Sequence, residues 1–236
     1  MSAVDAGNIK KSLSFIAYEK IKDRILNMEI SPGSSLTEMW LIEQLGMSRT
    51  PIREALYRLQ QESFVELAPR KGWFVAEIKL RDIQELFMIR EALEGISTRN
   101  ATHRLSDEQL HHMQHYLASL EASLLKDEAA VSDPGDSLHE MIFACIDNHY
   151  VNNIMANYID RLRQFHIIAS RLPGRKLQSY YEHCDIFQAL LARDENRAEQ
   201  AMRQHIQSSM NSILDCIINK TPLYGQSVSV SLSGTL

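Results

Sequence analysis

Apolar positions recur at helical spacing along nearly all of this chain, with one short exception. Tyr18, Ile21, Ile25 and Met28 fall three or four apart and predict a first helix from about Phe15 to Met28. Ser31-Pro32-Gly33 ends the connection after it by a turn. LTEMWLIEQL, Leu36 to Leu45, predicts a second helix, with Gly46 as a left-handed C-cap. MSRTPIREALYRL, Met47 to Leu59, predicts a third. Ser48 is its N-cap, offering an oxygen to the free N–H groups of the first turn. Pro51 sits in that turn, where a missing N–H costs little, and Ile52, Leu56 and Leu59 pack inward. The exception follows: FVEL (Phe64 to Leu67) and WFVAEI (Trp73 to Ile78) read as strands around the basic turn Pro69-Arg70-Lys71-Gly72. From Leu80 onward strand signals vanish. Helical segments are predicted at about 80–104, 106–127, 130–147, 150–171, 176–193 and 195–219. Ser106 with Asp107 and Glu108 opens the second of them, while Pro134-Gly135 and Leu172-Pro173-Gly174 mark breaks.

The fold class is therefore mainly α. An N-terminal winged helix-turn-helix (three helices plus a small β-hairpin) precedes an all-α six-helix bundle. The expected organisation is a flexible arm over 1–13, the winged helix over 14–78, a linker over 79–81, the helical domain over 82–220 and a Ser- and Gly-rich, disordered tail over 221–236. Arg49, Arg53 and Tyr57 lie four apart on the solvent face of the third helix. One arginine stands at the N-terminus and one a turn later, the arrangement by which a recognition helix reaches base edges and phosphates in the major groove. Arg70 and Lys71 at the tip of the hairpin suit phosphate or the minor groove. Any two helices joined at a glycine look alike; the arginine face and the basic wing point to duplex DNA.

Length and composition narrow the setting. The 236 residues are 44% hydrophobic, enough for a real core in one or two domains. No run approaches 18 apolar residues, so no membrane span is expected. The N-terminus lacks an apolar h-region, so secretion is not expected either. Cys145, Cys184 and Cys216 are widely spaced with no C-x-x-C and read as buried thiols of a cytoplasmic protein. A net charge of −5 argues at first against nucleic acid. Its distribution reverses that: residues 1–79 carry a net +1 and residues 80–236 a net −6. A nearly neutral DNA-binding domain must work through a local basic face, and a dimer doubles its phosphate contacts.

Nine histidines are present, and His103, His111, His112, His115, His149 and His166 read as ordinary helix residues. His183 shares a face with Tyr180, Phe187 and Leu190; His205 shares one with Ala198, Ala201 and Ser208. Their helices turn near Asp194-Glu195, with each histidine about eleven residues from the turn. At ~1.5 Å per residue both lie ~16 Å from it, level with one another across an antiparallel pair. His139 follows Asp136 by three, so both can point the same way, while Ile142, Phe143 and Ile146 carry that side toward the core. Three imidazoles and a carboxylate suit a divalent metal, Zn²⁺ or Ni²⁺ above all, with positions open to a ligand.

ISPGSSLTE, LGMSRTPIREAL and PRKGWFV closely resemble the winged helix of GntR-family bacterial transcription regulators, over about residues 14 to 78. The resemblance implies that Arg49 and Arg53 are the principal DNA contacts, with Ser48 and Thr50 nearby and Gly72 at the wing tip. Two positions depart from the pattern. Met39 stands where the fatty-acid-responsive branch often has a basic residue, and Ser63 where many members have Gly. Residues 80 to 218 resemble the FCD ligand-binding domain of that branch, most clearly at EHCDIFQALLARDENRAEQAMRQHI and in His139 with Asn148. The resemblance implies Asp136, His139, His183 and His205 as metal ligands. The family's Asp usually stands four before the first His, where this chain has Gly135. Arg90 and Glu94 match the R-x-x-x-E of the domain's first helix, whose arginine can face the effector; a surface ion pair is the alternative. Arg163 is a lesser effector candidate. The implied function is a homodimeric DNA-binding regulator, commonly a repressor, whose bundle senses an organic acid. Two rivals stand beside it. One is a regulator for which the ion itself is the signal. The other is a metal-dependent hydrolase, which lacks an H-E-x-x-H and an evident general base; the chain is therefore expected not to be an enzyme.

Overall fold

The structure, a computed structural model, describes residues 12–126, 131, 136–170 and 172–218, and of Asp136 the backbone alone. The expected arm falls outside the described residues up to residue 11, and the expected tail does so entirely. The chain divides into two compact units, Met1–Ile78 and Lys79–Leu236.

The first unit runs α1 (Leu13–Leu26), β1 (Ser35–Leu36), α2 (Glu38–Leu45), α3 (Arg49–Gln61), β2 (Val65–Ala68) and β3 (Gly72–Val75). Ser12 caps α1 by accepting from the Phe15 N–H. Thr37 does the same for α2 through the Trp40 N–H, and Gly46 ends that helix at φ +64. Ala17, Tyr18, Ile21 and Ile25 of α1 meet Leu41, Ile52, Leu56 and Leu59 in one core, closed by Val65, Trp73 and Val75 of the sheet. Met28, placed on the first helix by its spacing, is buried but lies two residues beyond the end of α1.

The hairpin is widened to a three-stranded sheet in the order β1-β3-β2, all antiparallel. Leu36 sits opposite Trp73, and Val65 opposite Val75. A two-residue strand carries no readable alternation, so β1 escapes sequence reading; its pairing comes from the β3 edge. At the end of α3 the Phe64 N–H reaches back to the Leu59 carbonyl at 2.9 Å, and Ser63 adopts φ +60. That is a Schellman ending with a serine in the position glycine favours.

The second unit consists of α4 (Leu80–Ala101), α5 (Asp107–Lys126), α6 (Asp136–Ile146), α7 (His149–Ala169), α8 (Arg175–Leu191) and α9 (Glu195–Ile218). α5 opens on a reciprocal cap: the Gln109 N–H donates to Ser106 Oγ, and the Ser106 N–H donates to Gln109 Oε1. Asn148 caps α7 by accepting from Tyr150 and Val151. The predicted start of α6 at residue 130, and Pro134-Gly135, lie outside the described residues. α9 packs chiefly against α4 and α8, turning Met202, His205, Ile206 and Ile213 inward. Of the cysteines, Cys216 is buried while Cys145 and Cys184 are half-buried, and none of the three is in a disulfide. Among the described residues no helix is long and apolar enough to cross a membrane.

Candidate nucleic-acid interface and metal centre

Helix α3 divides its faces as the spacing of its residues requires. Ile52, Ala55, Leu56 and Leu59 are buried, while Ser48, Arg49, Thr50 and Arg53 are exposed. Ser48 occupies the N-cap position at φ −71 and ψ 169, yet its hydroxyl makes no cap bond. The expected side-chain cap is therefore absent, and the first-turn N–H groups of α3 stay available to an outside acceptor. Arg49 and Arg53 converge on one carboxylate: their Nε atoms lie 3.4 and 2.6 Å from Glu38 of α2. Glu38 thereby gathers two guanidiniums into one cationic spot. At the wing, Arg70 and Lys71 are exposed between β2 and β3; Arg70 has φ +63 and Gly72 φ +93. Tyr57 is solvent-exposed as expected, but its ring stands edge-on to Trp73 at 5.1 Å, joining α3 to β3. Met39, the first departure, is exposed.

In the second unit His139 of α6, His183 of α8 and His205 of α9 come together. One ring nitrogen of each lies within 4.8 Å of the others. The Nε2 atoms of His183 and His205 are 3.2 Å apart. A tetrahedral ion with bonds of about 2.0–2.1 Å sets neighbouring nitrogens about 3.4 Å apart. His183 and His205, at 3.2 Å, are close to that spacing. His205 Nδ1 lies 2.8 Å from Glu182 Oε2, and His139 Nδ1 bonds to Glu94 Oε2. A neutral ring that gives its Nδ1–H to a carboxylate keeps its lone pair on Nε2. Burial, with His139, Arg90 and Arg175 nearby, holds the His205 imidazole well below its ordinary value, so it is neutral at pH 7. A neutral imidazole offers the nitrogen lone pair that a borderline divalent ion takes. Asp136 begins α6, but its side chain lies outside the described residues.

The carboxylates behind the histidines are themselves held. Glu94, 2% exposed, bonds through Oε1 to Arg90 Nε. Burial alone raises a carboxyl; here Arg90 and His139 outweigh it and bring Glu94 down to about 2. The Arg90–Glu94 pair is thus a buried link, not the surface ion pair its spacing also allowed. Glu182 Oε2 accepts from Arg175 Nη1 and Nη2 at 3.1 and 3.2 Å, and its Oε1 accepts from Ser208 at 2.6 Å. Arg90 and Arg175 both border a small cavity of about 10 Å³, with Phe87, Leu162 and Ile213 as apolar walls and Lys176 as a third cation. Arg163 corrects an expectation: it is exposed and does not border the cavity. Leu162 and Phe165 turn inward on α7, and a residue one step from Leu162 is rotated ~100° away. Arg175, Lys176 and Glu182 were missed by sequence reading. Arg175 follows Gly174 at a helix start, where a cation ordinarily reads as solvated.

Two family models match this chain: the FCD domain over residues 85–208 and bacterial regulatory proteins, gntR family, over residues 16–75. The chain belongs to the GntR family, in its FCD-domain branch. It is 27% identical over 201 residues to the HTH-type transcriptional repressor RspR of Escherichia coli, covering 83% of this chain and 86% of that one. It is 28% identical over 192 residues to the Nta operon transcriptional regulator of Aminobacter aminovorans, covering 79% and 87%. Among solved structures, E. coli McbR/YncC superposes with a TM-score of 0.63 at 23% identity, covering 87% of this chain and 98% of that one. A GntR-class transcriptional regulator from Rhodococcus sp. RHA1 gives 0.66 at 20% identity, covering 86% and 98%. These likenesses support the mainly helical fold with its N-terminal winged helix-turn-helix. The protein is a bacterial transcription regulator, and the hydrolase reading falls with that assignment.

Proposed function

We propose that this GntR-family chain is a cytoplasmic repressor that binds operator DNA as a homodimer and carries one divalent ion, Zn²⁺ or Ni²⁺, per chain. Arg49 and Arg53 read the major groove, with Ser48 and Thr50 on adjacent phosphate, and Arg70, Lys71 and Gly72 form the wing contact. His139, His183 and His205 hold the ion, and Asp136, at the start of the same helix as His139, supplies a carboxylate. Bound there, the ion provides a Lewis-acidic anchor for an effector. The effector is a small carboxylate, which completes the metal shell and meets Arg90. An effector that prefers one arrangement of the bundle changes operator affinity by linkage. A repressor named among the relatives supports the sign of regulation, and pairing two basic faces in a dimer supports tight operator binding by a nearly neutral domain.

The observation that carries this reading is the meeting of three imidazole nitrogens from three different helices within 4.8 Å. Its test is the metal content of the purified protein, measured before and after incubation with Zn²⁺ or Ni²⁺. One ion per chain is expected. No ion after loading removes the metal half of the reading and leaves the DNA half standing.

A further inference from the structure

Helix α5 carries a second meeting of imidazoles, on its exposed side. His111 and His115, which read from the sequence as ordinary helix residues, stand four apart and face solvent. Their rings meet edge-on, with centroids 4.9 Å apart and an interplanar angle of 84°. We infer that His111 and His115 form an exposed two-imidazole site for a borderline divalent cation, Cu²⁺ first, with Ni²⁺ and Zn²⁺ behind it.

The helix holds the pair in place. Leu110, Met113, Leu117 and Leu124 are buried and seat α5 on the bundle, which keeps the other side toward solvent. Ser106 and Gln109 cap its first turn reciprocally. Residues four apart on a helix have Cβ atoms about 5–6 Å apart, near enough for two side chains to reach one ion. At metal–nitrogen bonds of about 2.0–2.1 Å, two imidazoles on one ion set their centroids about 4.5–5.2 Å apart, from a square to a tetrahedral angle. The observed 4.9 Å falls within that span. Exposed rings turn within nanoseconds, so either ring nitrogen can be presented to the ion. Glu108, exposed one turn before His111, adds negative charge beside the pair.

Two protein ligands leave the other coordination positions to water. The ion therefore exchanges with solution and is lost on desalting, unlike one held by three histidines in the interior. Both ligands stand on one helix, so the ion ties no second element to α5 and should leave the melting temperature nearly unchanged. The site shares no residue with the three-histidine centre and does not rest on the metal reading of it.

The test uses a resin-bound Ni²⁺ chelate, which reaches an exposed pair and not a buried cluster. Full-length protein without an affinity tag is loaded and eluted with an imidazole gradient. Wild type should be retained. His111→Gln and His115→Gln should each elute early, while His149→Gln, exposed at the start of α7, should elute with wild type. In equilibrium dialysis against excess Ni²⁺, each of the first two variants should hold the α5 ion more weakly by about tenfold or more. Wild type that passes through unretained overturns the site, and so does a retention that neither substitution lowers. A loss confined to one of the two substitutions overturns the pairing. Early elution of both variants, with no further ion found by dialysis, supports this site and removes the buried centre instead.

Discussion

The Nε2 atoms of His183 and His205 face one another at 3.2 Å, one on each arm of the α8–α9 hairpin. Two neutral lone pairs at that distance repel, and either a proton or a cation between them removes the conflict. A cation shared with His139 removes it at all three rings. Loading with Zn²⁺ or Ni²⁺ should raise the melting temperature, and a chelator should lower it again. An ion present at a hundredfold over its dissociation constant contributes about 2.7 kcal/mol. His183→Ala should abolish the chelator response. A melting curve of the variant that still responds to chelator would show that the ion sits elsewhere.

The level placement of these two histidines was readable because a helical hairpin converts residue counts into distances. His183 and His205 stand equally far from their turn, and no packing detail can disturb that count. The carboxylates behind them were not readable. Glu182 precedes His183 by one residue yet bonds His205 on the other helix, a relation set by side-chain direction across α8 and α9. Arg175 is opaque for the same reason: its 2.7 Å bond to Ser209 crosses 34 residues of sequence. In the first unit the periodic stripe of α1 and α3 gave the core. Strand β1 was invisible because its two residues pair only once β3 is in place.

Ser63 offers a direct stability test. It holds φ +60 at the C′ position of α3, and the Phe64 N–H closes the Schellman bond to Leu59 beside it. A side chain in left-handed conformation costs roughly 1–2 kcal/mol, which glycine does not pay. Glycine gives part of that back through its freer unfolded chain. Ser63→Gly should therefore stabilise the first unit by about 0.5–1 kcal/mol in chemical denaturation. A loss of stability would mean that the serine hydroxyl matters more than the backbone.

Glu62 makes the same helix end sensitive to acid. Tyr18 donates to it at 2.8 Å and Lys22 at 2.6 Å, tying α1 to the end of α3. Burial works to raise the Glu62 carboxyl, but the hydrogen bonds from Lys22 and Tyr18 outweigh it and hold it below the ordinary value. A depressed carboxyl contributes stability in full above its unfolded value and loses it as pH falls through the folded one. Wild type should therefore melt higher than Glu62→Gln at pH 7, and the gap should close as pH falls below the ordinary glutamate range. A gap that stays constant from pH 7 to pH 3 would assign the effect to packing.

Arg53 lies 2.6 Å from Glu38 and Arg49 lies 3.4 Å from it, so one acidic residue of α2 governs both arginines of α3. Arg53→Ala should weaken specific operator binding on the order of tenfold to hundredfold. Arg53→Lys should restore it only in part, because an ammonium lacks the rigid planar fork of a guanidinium. Glu38→Gln acts differently. It removes the negative charge beside Arg49 and Arg53 and frees the two guanidiniums from a fixed orientation. Binding to an unrelated duplex should strengthen, while the ratio of operator to unrelated duplex falls. Fluorescence anisotropy on both duplexes, at two salt concentrations, measures the affinities and that ratio together. If Arg53→Ala held a genuine operator as tightly as wild type, the recognition role of α3 would be lost. If Glu38→Gln left the ratio unchanged, Glu38 would be a passive neighbour of the arginines.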